Sequence, residues 1–313
     1  MISIEHIRSI CSGRIAISEP LARMTTFRLG GPADIYVEPA TTAELIALVR
    51  TFRDGDLPFL VLGNGSNVLV SDDGFRGAAI NLEHGFARAT MDDDVVDAGA
   101  GVRLSAFVDF CIRHGFAGTE TLAGIPGTLG GAVIMNAGAY GGEISDHLVD
   151  VTVLRHGEVL TLPKAECGFR YRASGLKGDI VLSARFTPPR GDIESMKRRR
   201  KDLLLKRNAS QPTAFPNAGS IFKNPEGGYA AVLIQECGLK GFRIGGAEVS
   251  ELHANFIIGR DNATAADILA VINHVRGVVF SRRGLVLEPE ILLMGFPDNA
   301  LLPISSDSEG VVA

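Results

Sequence analysis

The 313-residue sequence has few cysteines, little net charge and no long apolar run. No segment approaches the roughly 20 apolar residues of a membrane span, and charges interrupt the short apolar runs of the N-terminus, so we expect neither a membrane helix nor a signal peptide. A net charge of -5 argues against general nucleic-acid binding. We therefore expect a cytoplasmic protein without nucleic-acid or membrane partners. The cysteines are scattered without a CxxC pair, which favours a reducing compartment over a zinc site or disulfide framework: Cys11, Cys111, Cys167 and Cys237.

Local patterns predict a chain of mixed helices and strands, long enough for two or three domains. The first 20 residues read as a short amphipathic helix and a connection, and residues 25–39 as two short strands joined by Gly30, Gly31 and Pro32. A capping box at Thr41 and Glu44 begins a helix that Gly55 ends. Further helices are expected at residues 104–114, 192–207, 230–236 and 264–279, and further strands at 58–62, 68–71, 95–98, 149–154, 158–162 and 179–186.

The run Gly124–Glu143 contains seven glycines among twenty residues, interspersed with Ile, Val, Met and Leu. Glycine at this density indicates positive φ angles or close approach of the backbone to another group. The apolar residues favour a rigid, buried loop around a flat ligand, neither a regular helix nor a regular strand. An ordinary turn-rich connection in an α/β protein is the alternative.

A second polar glycine turn, residues 63–67, lies between two apolar strand patterns. Its backbone N–H groups could form a nest for a diphosphate. Because a strand pattern rather than a helix follows the turn, it is not the dinucleotide fingerprint of a Rossmann unit. Any nucleotide is therefore expected on a different fold.

Two basic segments are ambiguous on their own. The loop 169–178 carries Arg170, Arg172 and Lys177, and the helix 192–207 is strongly basic. Both are typical of solvated surface, although the helix could also form a rim that attracts phosphates. Residues 211–225 form another loop rich in Pro, Gly and Asn. The seven histidines show no ligand or triad pattern, and no metal is expected.

Seven motifs, in this order along residues 20–296, resemble those of the UDP-N-acetylenolpyruvoylglucosamine reductase family. They are TTFRLGGPAD from Thr25, VLGNGSNVLVSDDGFRG from Val61, AGIPGTLGGAVIMNAGAYGGE from Ala123, FRYRASGLK from Phe169, NAGSIFKNP from Asn217, GLKGFRIGGAEVSELHANFI from Gly238 and LEPE from Leu287.

The resemblance implies an α+β fold: a vanillyl-alcohol-oxidase (PCMH-type) FAD-binding module of two subdomains, residues 1–85 and 86–207, and a C-terminal substrate-binding domain, residues 208–300. A disordered tail is expected at residues 301–313. Phe186 leads through TPPRGD directly into the basic helix, so the chain resembles the second type of the family, which lacks a tyrosine-bearing insertion. Which residue holds the UDP on that side is left open.

The reaction implied by the resemblance transfers a hydride from NADPH to FAD, and from reduced FAD to the enolpyruvyl C3 of UDP-N-acetylglucosamine enolpyruvate. Arg172 and Glu290 are expected to stabilise the substrate carboxylate, and Ser220 to protonate C2. Glu288 is the rival of Glu290, since both lie on the same face of a strand. Tyr171, Lys223 and Asn224 are expected to contact substrate. The expected FAD contacts are Leu62, Gly63, Asn64, Gly65, Ser66, Asn67, Gly124, Ile125, Pro126, Gly127, Gly130, Gly131, Ala132, Asn136, Gly138, Ala139 and Tyr140.

Two other functions fit the same features. A related oxidase with covalently bound FAD would usually need a His or Cys in a flavin loop, and the two glycine loops contain neither. A catalytically inactive nucleotide-binding protein would not need Arg172, Ser220 and Glu290. We therefore expect an NADPH-dependent flavoenzyme of peptidoglycan synthesis, as a monomer or weak dimer.

Overall fold

The structure is a computed structural model that describes residues 3–304. Contacts divide this chain into two compact units built from discontinuous segments. The first unit contains residues 3–19, 33–64 and 76–207, and the second contains residues 20–32, 65–75 and 208–304. This two-way division does not address whether the first unit consists of two subdomains, so the three consecutive domains expected from the sequence stay a prediction.

The described residues form the following α-helices: α1 Ile4–Ile10, α2 Thr42–Asp54, α3 Leu104–Arg113, α4 Leu129–Met135, α5 Ile193–Ser210, α6 Ala230–Glu236 and α7 Ala265–Arg283. The strands are β1 Ile15–Pro20, β2 Pro32–Val37, β3 Phe59–Val61, β4 Val68–Val70, β5 Phe75–Ile80, β6 Ala89–Asp92, β7 Val95–Gly99, β8 Gly138–Ala139, β9 Gly142–Glu143, β10 Leu148–Arg155, β11 Glu158–Pro163, β12 Ile180–Phe186, β13 Arg243–Ile244, β14 Ala247–Val249, β15 Ile257–Gly259 and β16 Leu292–Met294.

The first unit contains two larger sheets. The four-stranded sheet has the order β1-β2-β5-β3, with β3 and β5 parallel, and the five-stranded sheet has the order β11-β10-β12-β7-β6 with antiparallel neighbours. The predicted hairpin of β10 and β11 is confirmed, and His156 and Gly157 form its turn with φ of 52° and 90°. Positive φ at both turn positions matches the twist of the flanking strands.

Helix α2 shows why this part of the fold is readable from sequence. Its buried residues, Leu45, Leu48, Val49 and Phe52, follow helical spacing. The Thr41 side chain accepts from Glu44 N, as a capping box requires, but Glu44 Oε2 accepts from Ala40 N at 2.8 Å. The helix is thus capped at the predicted residues, with the return bond shifted by one residue.

The second unit contains the antiparallel sheet β13-β14-β15 and helix α7. A reciprocal capping box at Thr264 and Asp267 begins α7, and Gly284, with φ of 65°, ends it. The helix buries Ile268, Val271, Ile272, Val275 and Val279 in the core of this unit. Strand β16 pairs in parallel with β4, so residues more than 200 positions apart lie side by side.

Three local predictions are wrong or incomplete. Residues 25–29 do not form a strand, because Arg28 turns the backbone at φ 57° and Gly30 at φ 115°. The connection expected before residue 20 contains β1. The run Gly124–Glu143 contains the helix α4. By contrast, the two strands expected on either side of residues 63–67 are confirmed, and they join different sheets, β3 with β5 and β4 with β16.

The C-terminal tail was expected to be disordered from residue 301. The carbonyl of Ala300 accepts from Asn273 Nδ2 at 2.9 Å and Leu302 N donates to Asn273 Oδ1 at 3.0 Å, so the first tail residues are held on α7. Residues 305–313 lie outside the described residues. The helices that the structure describes are all too short or too polar to span a bilayer.

Candidate active site

The two glycine loops meet in the first unit. A Cβ on Gly63 would lie 2.4 Å from Thr128 Oγ1, which is closer than any real Cβ contact. Thr128 directly precedes α4 in the longer loop. Glycine at position 63 is therefore required for the two loops to pack together, because any side chain there would separate them.

Two polar side chains that the sequence did not single out hold the shorter loop. Asn81 Nδ2 donates to Leu62 O at 2.9 Å, and the Arg103 guanidinium donates to Asn64 Oδ1 at 2.9 Å. Arg103 also forms an ion pair with Glu83 at 2.8 Å. These bonds fix the carbonyl of Leu62 and the side chain of Asn64 in the loop.

The longer loop is a short helix inside a series of tight turns. Leu129 N donates to Val102 O and Gly130 N to Ala100 O, at 2.8 and 2.9 Å, so the start of α4 is anchored to the end of β7. Gly130 is buried there, and a Cβ added to it would lie only 2.9 Å from the Cβ of Ala100, which is too close. Its neighbour Gly131 is exposed, and a Cβ would meet only Thr128 Oγ1, at 3.8 Å. The loop thus has open space beside the backbone at Gly131.

The end of the longer loop is a hairpin of β8 and β9 around Tyr140 and Gly141, with φ of 53° and 81°. The Tyr140 hydroxyl donates to Leu203 O at 3.2 Å, and the ring is 42% exposed. The last residues of α5 also pack here, because a Cβ on Gly124 would lie 2.8 Å from Arg207 Cδ. Burial lowers the pKa of Arg207, so this part of the basic helix is not simply solvated surface.

Asn136 carries the observation that best fits a bound group. It is 1% exposed and adopts a left-handed conformation at φ 45°. Its Nδ2 donates to Glu143 Oε2 at 2.7 Å and to Arg170 O at 3.1 Å. Its Oδ1 is buried and has no hydrogen-bond partner among the described residues. Buried polar atoms nearly always have a partner, so a donor from a ligand fits this position.

Arg172 lies in the first unit beside the longer glycine loop. Its Nη2 donates to Gly138 O at 2.8 Å, and its guanidinium carbon lies 5.0 Å from the centre of the Tyr171 ring. Its φ is 52°, an uncommon conformation for a residue with a side chain. Ser174 Oγ also donates to Ile134 O at 2.8 Å. The arginine loop, predicted as irregular, is thus attached to the glycine loop by several bonds.

Ser220 and Glu290 lie on neighbouring backbone segments of the second unit. Glu290 N donates to Ile221 O at 2.8 Å, and Phe222 and Pro289 form an antiparallel bridge. The turn before Ser220 is closed by Gly219 N, which donates to Asn217 Oδ1 at 2.9 Å, and Gly219 has φ 77°. Two residues 70 positions apart are therefore brought together by a non-local pairing.

Glu288 and Glu290 have different surroundings. Glu288 Oε1 forms an ion pair with Lys223 Nζ at 2.5 Å, and its side chain is 70% exposed. Glu290 instead precedes β16, and Asn67 Nδ2 donates to its carbonyl at 3.0 Å. The preference for Glu290 over Glu288 as a hydrogen-bond donor stays a prediction.

The residues expected to contact substrate have different surroundings. Tyr171 is 48% exposed. The ion pair with Glu288 occupies Lys223, and Asn224 Oδ1 accepts from Ala230 N at 3.1 Å, where it caps the start of α6. A capping role explains Asn224 without a ligand, so its expected substrate contact stays a prediction.

The predicted site residues divide between the two units. The second unit contains the later part of the short loop, and a Cβ on Gly65 would lie 2.2 Å from Met24 O. Asn67 O accepts from Leu292 N at 3.0 Å, which links this part to β16. The second unit holds Gly65, Ser66, Asn67, Ser220, Lys223, Asn224 and Glu290, and the first holds Leu62, Gly63, Asn64, Gly124, Ile125, Pro126, Gly127, Gly130, Gly131, Ala132, Asn136, Gly138, Ala139, Tyr140, Tyr171 and Arg172.

Comparison with known proteins decides the family. The chain is 45% identical to UDP-N-acetylenolpyruvoylglucosamine reductase of Heliobacterium modesticaldum, over 88% of this chain and 90% of that protein. It is 43% identical to the reductase of Chloroherpeton thalassium, over 96% and 99% of the two chains. The chain belongs to the UDP-N-acetylenolpyruvoylglucosamine reductase family.

Structure and domain comparisons agree with this membership. The crystal structure of the Thermus caldophilus UDP-N-acetylenolpyruvylglucosamine reductase superposes with a TM-score of 0.77 at 36% identity, covering 90% of this chain and 98% of that one. Residues 33–163 match the family model described as FAD binding domain, and residues 211–294 match that of the C-terminal domain of the reductase. The expected class, an α+β FAD-binding module with a C-terminal domain, is confirmed.

Sequence analysis of this reductase family member missed the residues that hold the site in place. Asn81, Arg103, Thr128 and Asn217 bind backbone or loop atoms rather than presenting chemistry of their own. Thr128 and Asn217 lie within the quoted motifs, which is a signal that could have found them, whereas Arg103 lies in none of them. Asn81 follows β5 and has no such signal.

Proposed function

We propose that this chain reduces UDP-N-acetylglucosamine enolpyruvate to UDP-N-acetylmuramate with NADPH as the reductant and FAD as the cofactor. The observation that supports it best is the pairing of the Ser220 and Glu290 segments, through Glu290 N and Ile221 O at 2.8 Å. The backbone segments that carry an acid and a hydroxyl are thereby paired within the second unit. A binding protein without catalysis would not require that pairing.

The residues of the two glycine loops fit a bound FAD. The open space beside Gly131 allows close approach of a flat group, and the buried Asn136 Oδ1 can accept a hydrogen bond from it. Gly63, fixed against Thr128, and the N–H groups of its loop suit the diphosphate. When bound, FAD accepts a hydride from NADPH and passes it to the substrate. Neither glycine loop contains a His or Cys for covalent attachment, which favours a noncovalent flavin.

The protein's task at the substrate is to stabilise developing charge. Hydride addition at C3 moves electrons from the C2–C3 double bond toward C2 and its carboxylate, which then carries two negative charges as an enediolate. We assign Arg172 to this carboxylate as a two-pronged donor and Glu290, in its protonated form, as a second hydrogen-bond donor. The bond from Arg172 to Gly138 O holds the guanidinium in a fixed orientation.

Ser220 completes the reaction by donating its hydroxyl proton to C2. A serine is a weak acid, but the carbanionic C2 is a strong base, so a correctly placed hydroxyl suffices. The balance is one hydride on C3 and one proton on C2. The Gly219 turn closed by Asn217 gives the serine a defined backbone conformation. The cytoplasmic location and the monomeric or weakly dimeric state stay predictions.

One preparation tests the proposal. Purified protein should be yellow, acid precipitation should release FAD, and NADPH should be consumed in proportion to added UDP-N-acetylglucosamine enolpyruvate. Flavin that stays with the precipitate would favour the covalent oxidase. Bound nucleotide without any substrate-dependent NADPH oxidation would favour an inactive binding protein and contradict the proposal.

A further inference from the structure

A single buried asparagine, Asn255, holds the segment that follows Ser220. Phe222 N donates to Asn255 Oδ1 at 3.0 Å, and Asn255 Nδ2 donates to Phe222 O at 2.8 Å. The carbonyl of Asn255 accepts from Ile221 N at 2.9 Å. Asn255 is 3% exposed, so water does not compete for these bonds. One side chain therefore satisfies both backbone groups of Phe222.

The other edge of the same segment is paired with the strand of the two glutamates. Ile221 O accepts from Glu290 N at 2.8 Å, and Lys223 N donates to Glu288 O at 2.9 Å. Residues 221–223 thus lie between Asn255 on one side and residues 288–290 on the other. Because Ser220 directly precedes this segment, its Cα position depends on both sets of bonds.

Asn255 is itself fixed by the turn in which it lies. Its N–H donates to His253 Nδ1 at 3.3 Å, and Ser250 N donates to Phe256 O at 2.9 Å across the turn. The Ser250 hydroxyl accepts from Leu252 N at 3.2 Å. The asparagine is consequently presented by a closed, hydrogen-bonded turn rather than by a flexible loop.

We propose that Asn255 is a positioning residue for proton transfer, which sets the distance between the Ser220 hydroxyl and the substrate carbon that it protonates. The inference rests on the proposed function, in which Ser220 is the proton donor. Asn255 contacts neither substrate nor FAD in this proposal and acts only through the backbone of Ile221 and Phe222. A displacement of about 1 Å at a reacting group can slow a reaction about 100-fold.

The choice of asparagine follows from the two bonds. A side-chain amide presents a donor and an acceptor with the spacing of a peptide group. It can therefore make the two hydrogen bonds to Phe222 that a neighbouring strand would otherwise make. Aspartate has the same shape but lacks the donor, and its carboxylate would face Phe222 O. Serine is shorter and can maintain at most one of the two bonds.

The test uses flavin absorbance in rapid mixing of the FAD-loaded enzyme, with each half-reaction followed separately. Asn255→Asp should leave reduction by NADPH within about twofold of wild type and slow reoxidation by substrate about 10- to 100-fold. Asn255→Ser, the alternative if the aspartate variant does not fold, should slow the same half-reaction. The solvent deuterium isotope effect on reoxidation should rise in both, because proton transfer becomes slower.

Asn273→Asp is the matched control. Asn273 makes the same two kinds of backbone bond in the same unit, with Ala300 O and Leu302 N, and should alter stability without changing the isotope effect. In a Ser220→Ala background, Asn255→Asp should add no further slowing, because no serine proton remains to be positioned.

Equal slowing of both half-reactions, or the same slowing by Asn255→Asp with and without Ser220, would overturn the inference and leave Asn255 a purely structural residue. Unchanged reoxidation in a folded Asn255→Ser enzyme would also overturn it. If Ser220→Ala alone leaves reoxidation unchanged, the failure belongs to the proposed proton donor.

Discussion

Gly131 offers a substitution whose effects on folding and on cofactor binding should have opposite signs. It lies in the first turn of α4, is exposed, and would place an added Cβ no closer than 3.8 Å to Thr128 Oγ1. That distance is ordinary van der Waals contact. Alanine also favours a helix over glycine by up to about 1 kcal/mol. Gly131→Ala should therefore make the FAD-free protein as stable as wild type, or more so by up to that amount.

The same methyl group should weaken FAD binding. If the cofactor approaches the backbone at Gly131, a methyl there overpacks the contact, which typically costs about 1–3 kcal/mol. The dissociation constant for FAD should rise about 5- to 150-fold. Fluorescence titration of FAD-depleted protein measures that constant, and urea unfolding of the same preparation measures stability.

Gly130→Ala is the control, because it makes the same change one residue earlier. Its Cβ would lie 2.9 Å from Ala100 Cβ inside the protein, so it should destabilise the FAD-free protein by about 1–3 kcal/mol. Wild-type FAD affinity in Gly131→Ala would refute the proposed cofactor approach. Greater stability in Gly130→Ala than in Gly131→Ala would refute the packing argument itself.

Three further predictions concern single side chains. Ser220→Ala should leave flavin reduction by NADPH intact and slow reoxidation by substrate about 10²- to 10⁴-fold in rapid mixing. Glu290→Gln should slow reoxidation about 10²- to 10³-fold, whereas Glu288→Gln should change it little and change unfolding by less than about 1 kcal/mol, because its ion pair is exposed. Hydrogen bonds from Arg260 and Arg243 lower the pKa of the buried Glu248. Its stabilisation is therefore present above the ordinary pKa of about 4.3 and lost as pH falls below it. In urea titrations, Glu248→Gln should cost about 1–3 kcal/mol at pH 7, and the difference should shrink as the pH falls below about 4.3.

Each of these predictions has a clear contrary result. Loss of both half-reactions in Ser220→Ala would point to misfolding rather than a missing proton donor. A larger effect of Glu288→Gln than of Glu290→Gln would reverse their assignment. A pH-independent loss of stability in Glu248→Gln would mean that its charge does not contribute.

The parts of the fold that sequence predicts are those encoded by neighbours along the chain. Helix α2 has helical spacing of Leu45, Leu48, Val49 and Phe52 between a threonine cap and a glycine, and it forms where predicted. Helix α4 was missed because glycines dominate its surroundings, although Leu129, Ala132 and Val133 have the buried i, i+3, i+4 spacing of a short helix.

Pairings between distant segments could not be predicted from local pattern. The strands on either side of the 63–67 turn were predicted, but their parallel partners were not: β3 pairs with β5 and β4 with β16. The meeting of the Ser220 and Glu290 segments likewise depends on a pairing across 70 residues. Both residues were identified from family motifs, and their proximity came only from the structure.

The supporting shell of the candidate site illustrates the same limit. Asn255 lies inside a quoted motif, yet the sequence does not show that its side-chain amide forms hydrogen bonds with both backbone groups of Phe222. Such roles depend on the orientation of one side chain in a folded turn. Sequence therefore offered candidates for the groups that carry chemistry, whereas the groups that hold the backbone around them became apparent only in the structure.

The central claim is that this protein passes a hydride from reduced FAD to an enolpyruvyl substrate. Anaerobic mixing of the NADPH-reduced enzyme with UDP-N-acetylglucosamine enolpyruvate tests it most directly. We predict full recovery of the oxidised flavin spectrum in a single turnover, with one UDP-N-acetylmuramate formed per flavin. A flavin that stays reduced in the presence of substrate would contradict the claim.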